Sequence, residues 1–134
     1  MAEKDPNRLK AILDEEAESL ARLIKQTLLH SLDDAPQDVV ENDRLARVWL
    51  ADRMVDAARL NRGRVAATAE MAQERVGEVA RALGQKTAGN GRNKAPEWLA
   101  IRDAQRAADL AGVEVTIQAR GLSYSLTPRP WEAV

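Results

Sequence analysis

Between Val48 and Leu83 an alternating three-four spacing lands on small apolar residues at Val48, Ala51, Val55, Ala58, Val65, Ala69, Ala72, Val76, Val79 and Leu83, interrupted at Arg62. A recurrence of about 3.5 residues keeps one stripe of a helix facing a partner over many turns, so the pattern predicts a coiled-coil seam and an oligomer or partner interface. At about 1.5 Å rise per residue the stretch would form a rod of roughly 54 Å. The helix is expected over 43–83, capped by Asn42 or Asp43 and stopped by Gly84 in a left-handed conformation. Gly63, beside Asn61 and the off-pattern Arg62, is the place for a kink, since glycine costs about 1 kcal/mol relative to alanine inside a helix.

Upstream, Leu9, Leu13, Ala17, Leu20, Ile24 and Leu28 recur at helical spacing and predict a first helix over 5–30, with Asp5 as its cap and Pro6 at the first position. Ser31 to Glu41 reads as a connector, and antiparallel packing of the long helix on the first is expected. Downstream, 84–95 contains the run GQKTAGNGRNK and reads as a basic glycine-rich loop. Pro96 opens a third helix over 96–111, ended by Gly112.

After Gly112 the rhythm changes to period two. A two-residue turn at Arg120 and Gly121 sets Val115 opposite Leu126, Ile117 opposite Tyr124 and Ala119 opposite Leu122, and it pairs Thr116 with Ser125 and Gln118 with Ser123. Apolar meets apolar and polar meets polar, which predicts a β-hairpin within 113–127 that buries one face on helices or on a neighbouring protomer. The tail 128–134 contains Pro130 and Trp131 and is expected to be flexible and available to a partner. The fold class is thus mainly α: a single domain over 1–134, built as a helical hairpin or bundle with one long coiled-coil helix and a C-terminal β-hairpin.

Composition narrows the chemistry. The chain has 134 residues, 45% hydrophobic and only 3% aromatic, and alanine is abundant, which favours closely packed helices. It has no cysteine, so disulfides, zinc thiolates and thiol nucleophiles are excluded. The charged start and the short apolar runs give neither a signal peptide nor a membrane span, and a cytoplasmic location is expected. Charge is split: residues 1–56 hold 8 basic and 13 acidic side chains, and residues 57–134 hold 12 and 8. A positive C-terminal half can orient a partner or meet nucleic acid.

Catalytic residues are not evident, and no enzyme activity, metal or cofactor is expected. His30 is the lone histidine and sits at a helix end. The carboxylates at Asp14–Glu16 and Asp33–Asp34 lack the histidines that a ferritin-like metal site requires. In the 84–94 run Gln85 separates Gly84 from Lys86, and the run follows a helix, so it is not a phosphate loop. Lys86, Arg92 and Lys94 remain as candidates for contact with a nucleic-acid backbone. At Ala107–Ile117 an alanine precedes a glycine by four residues, as in a helix-turn-helix, but the strand rhythm that follows argues against a recognition helix there.

Two non-enzymatic functions fit. Helices followed by a C-terminal β element and a tail resemble, in layout, the small subunits of phage-type DNA-packaging terminases. That resemblance implies a homo-oligomer that presents the basic loop to double-stranded DNA and passes it to a larger protein through the tail. The alternative is a helical chaperone or adaptor that holds a partner helix in an apolar groove, with no nucleic acid bound.

Overall fold

A computed structural model describes residues 5–129, which form six α-helices and then a two-stranded antiparallel hairpin. The chain read above as one domain clusters into two compact units, Met1–Ala57 and Ala58–Val134.

In the first unit, α1 (Pro6–Leu29) starts where the Asp5 carboxylate accepts the backbone N–H groups of Asn7 (3.0 Å) and Arg8 (3.2 Å). These are donors that no preceding helical turn can satisfy. Leu9, Ile12 and Leu13, in the first half of α1, are exposed, whereas Leu23 and Leu28 are buried. A 3₁₀ turn (Leu32–Asp34) and the single-turn α2 (Gln37–Val40) lead to α3 (Asp43–Met71). The Asn42 side chain caps α3, accepting from the N–H groups of Arg44 (3.0 Å) and Leu45 (3.2 Å). Near its start the Arg53 guanidinium lies 5.9 Å from the centre of the Trp49 ring.

The long helix is shorter than the 43–83 expected. It ends at Met71 because Gln73 adopts a left-handed conformation, φ 76°, and the N–H of Glu74 turns back to the carbonyl of Ala69 at 3.0 Å. This is the closing geometry of a helix C-terminus, made here by glutamine instead of glycine. The seam is therefore not one surface. Ala72 lies in the turn, and Val76, Val79 and Leu83 belong to α4 (Val76–Ala82) and its cap, where they pack into the core of their own unit. Val48, Ala51 and Val55 stay exposed on α3.

In the second unit the buried face of α3 runs through Leu60, Gly63 and Ala67, on a different side from the expected stripe. The helix is not interrupted at Gly63. That glycine is where α6 (Pro96–Ala111) crosses α3: a methyl group there would stand 2.6 Å from Glu97 Cβ and 2.8 Å from the Trp98 nitrogen. The close approach seats the fully buried Trp98, whose indole N–H donates to Glu70 at 3.1 Å. Glu70 in turn accepts from Arg102 at 3.2 Å.

Gly112, φ 69°, ends α6, and β1 (Val115–Ala119) pairs with β2 (Leu122–Leu126) in the register deduced from the sequence. The apolar face docks on helices of the same chain, burying Leu122 and Leu126, and burial pushes the Tyr124 hydroxyl above the usual tyrosine range. Arg120 and Gly121 both take positive φ, 53° and 75°, the turn whose twist matches the strands. The left-handed conformation costs a residue with a Cβ roughly 1–2 kcal/mol. An ion pair from Arg120 to the buried Glu97, at the start of α6, offsets it and pins the hairpin tip.

Replacing Gly63 with alanine is expected to destabilise the protein by about 1–3 kcal/mol through overpacking, despite alanine's better helix propensity. Urea denaturation of the two proteins measures this; a more stable variant would mean that α6 does not depend on the missing methyl group.

Candidate functional site

The segment expected to be a loop over 84–95 contains a helix. After α4, Gly84 takes φ 79° and the N–H of Gln85 returns to the carbonyl of Ala80 at 2.9 Å, so the left-handed stop expected at Gly84 closes α4 instead of the long helix. Thr87 then caps α5 (Ala88–Lys94), its hydroxyl accepting the N–H of Asn90 at 3.1 Å. Two glycines in seven residues disfavour a helix in isolation, and packing supplies what propensity lacks. Gly91 is buried against Ala80, so closely that a methyl group on it would stand 2.5 Å from Ala80 Cβ, and it also meets the Trp98 ring. The Lys94 ammonium donates to the carbonyl of Leu83 at 2.7 Å, and the Lys94 carbonyl accepts from Arg62 at 2.7 Å.

The result is a helix, a glycine turn and a second helix, with α5 backed by α6. Ala80 and Gly84 stand four residues apart, the spacing weighed above at Ala107–Ile117. There the structure has the end of α6, Gly112 and β1 instead. Gly91 of α5 and its capping residue Ala95 face inward, both buried, and Gly89, Asn90 and Asn93 lie on the outward side, all exposed.

The electrostatics of this surface are one-sided. The turn and α5 hold Lys86, Arg92 and Lys94 and no acidic residue, whereas Arg81 on α4 pairs with Glu78 at 3.9 Å. Elsewhere in the unit Glu70, Glu97 and Asp109 are engaged by Arg102, Arg120 and Arg129. Of the three cations singled out in the sequence, Lys86 is exposed in the turn and Lys94 is exposed at the end of α5 while also bonding Leu83. Arg92 is half-buried, with its Nε enclosed and without a hydrogen-bond partner. The exposed amides of Asn90 and Asn93 were not singled out, because a loop reading gives no reason to ask which side of a helix they occupy.

A second feature lies behind this pair. Val65, Ala66 and Ala69 of α3 and Val79 and Leu83 line an open apolar cavity of about 520 Å³. Thus Val65, Ala69, Val79 and Leu83 do meet, but around a groove within one unit instead of along one rod. Among the described residues no group of three or more His, Cys, Asp or Glu is placed to hold a metal ion, and no helix is long and apolar enough to cross a membrane. The chain matches no protein-family model, no curated protein and no solved structure.

The start of the tail is fastened, contrary to the flexible segment expected from 128. Arg129 donates to Asp109 through its backbone N–H (2.8 Å), Nε (2.9 Å) and a terminal nitrogen (2.6 Å), while Gln105 bridges Asp109 and the Thr127 carbonyl at 2.9 Å each. Pro130 and Trp131, the expected partner-binding residues, lie outside the described residues. The Arg129 hydrogen bonds lower the Asp109 carboxyl from 3.8 to about 2. Because the folded value is the lower one, the clamp contributes fully above the ordinary carboxylate range and is lost as pH falls through about 2. Asp109→Asn is therefore expected to be less stable than the parent at pH 6, with the gap closing as pH falls from about 4 to about 2. Thermal melts across that range test it, and a gap independent of pH would show that the carboxylate charge does not hold the clamp.

Proposed function

We propose that the chain is a non-enzymatic, self-associating adaptor that binds double-stranded DNA through the turn and outer face of α5. The observation that carries this reading is the basic stretch of the turn and α5, which holds Lys86, Arg92 and Lys94 and no carboxylate, set against α4. A helix followed by a glycine turn and a second helix is the device by which helix-turn-helix proteins set one helix against a DNA groove. Cations without neighbouring carboxylates suit the phosphate backbone, which dominates affinity. In this reading Lys86 and Arg92 contact phosphates, whereas Lys94 mainly closes α4. The exposed stripe of Val48, Ala51 and Val55 is the surface for a second copy. A homo-oligomer presenting several such surfaces corresponds to the layout noted for small terminase subunits.

The apolar groove of Val65, Ala69, Val79 and Leu83 favours the second reading, a chaperone or adaptor that seats a partner helix. The two part on one experiment. Light scattering during gel filtration and fluorescence anisotropy are measured with a mixed-sequence duplex between 50 and 200 mM salt. The DNA reading expects an oligomer that binds duplex in a salt-sensitive way. It also expects Lys86→Ala/Arg92→Ala to weaken binding and to lower the slope of log affinity against log salt by about 1 per lost phosphate contact. A chain indifferent to duplex even at 50 mM salt would overturn it and leave the groove as the functional surface.

A further inference from the structure

We infer that α5 reads base edges as well as phosphates, so that the chain prefers duplexes with adenine at the positions its amides reach. This rests on the DNA reading above and goes beyond it from charge to sequence. Asn90 and Asn93 are one helical turn apart on the exposed side of α5, and both lie away from Gly91 and Ala95, which face inward. An asparagine amide offers a donor and an acceptor side by side, the complement of adenine N7 and N6 in the major groove.

Gly89 supplies the independent observation. Its neighbour Gly91 is required by packing, since a methyl group there would strike Ala80. At Gly89 nothing lies within 4 Å of where a Cβ would stand, and its backbone is helical, so neither packing nor conformation calls for glycine. Alanine would be the better helix former. A glycine on the outer side of a short helix, against its propensity and beside two exposed amides, leaves the backbone bare for the close approach of a partner. The cations of the turn and α5, a stretch without carboxylates, fit a polyanion, and the paired amides fit base edges instead of a bare phosphate chain.

The test uses the full chain and a pool of duplexes with a randomised centre, selected by binding and sequenced. Adenine-containing sites enriched by the parent protein and lost with Asn90→Ala/Asn93→Ala are the expected result. Each lost amide pair should reduce discrimination by roughly 5- to 150-fold, while circular dichroism shows an unchanged helical content. Gly89→Ala separates structure from contact: the melting temperature should rise while affinity for the selected site falls. Duplex binding without any enriched sequence, or Gly89→Ala binding as well as the parent, would overturn base reading and leave phosphate binding standing. Failure to bind any duplex at low salt would remove both.

Discussion

The close approach of α3 and α6 at Gly63 is the constraint on which the second unit depends. With no side chain at that position, the backbone of Glu97 and Trp98 settles directly on α3. Trp98 is thereby carried into the core, fully buried, with its one polar atom satisfied by Glu70. Truncating a buried tryptophan typically costs about 3–5 kcal/mol, and here the ring also touches Gly91, so the placement of α5 follows from the same contact. Glu97, fixed at that crossing, holds Arg120 and with it the tip of the hairpin. Helix crossing, core, candidate site and hairpin are thus linked through adjacent residues of one helix.

Small residues do this work twice, at different distances from the surface. Gly63 admits a helix backbone, and Gly91 admits the Cβ of Ala80, so α5 lies close on α4 although its own sequence is a poor helix former. Such a helix exists only while it is packed, which makes the proposed contact surface dependent on the core beneath it. The same dependence explains why Lys94 and Arg62 are spent on holding its last turn. Charge on this surface follows from that arrangement: Glu70, Glu97 and Asp109 are occupied by arginines within the fold, and the cations of the turn and α5 have no carboxylate within their own segment.

Local rules carried some elements and failed at others for identifiable reasons. The hairpin register was legible because a period of two admits one pairing that matches apolar with apolar, and the caps at Asp5, Asn42, Gly84 and Gly112 follow from side-chain and backbone chemistry close in sequence. The long seam misled because α3 carries alanine and valine on several sides, so a three-four spacing can be traced along a side that the fold leaves exposed. Nothing in Ala72–Arg75 announces a helix end; glutamine in a left-handed conformation is a tertiary outcome. The region holding Lys86, Arg92 and Lys94 was identified from its charge, but Asn90 and Asn93 were not. The run AGNGRNK becomes a helix only through Gly91 and Ala80, a contact made across the turn.

The most direct test is to follow the backbone amide signals of the isotope-labelled full chain by NMR while a short duplex is added at low salt. The account predicts chemical-shift changes concentrated between Gly84 and Ala95, strongest at Lys86, Gly89, Asn90 and Asn93, with the Trp98 indole signal retained as evidence that the core is intact. Shifts confined to the groove residues of α3 and α4, or no shifts at all, would contradict it.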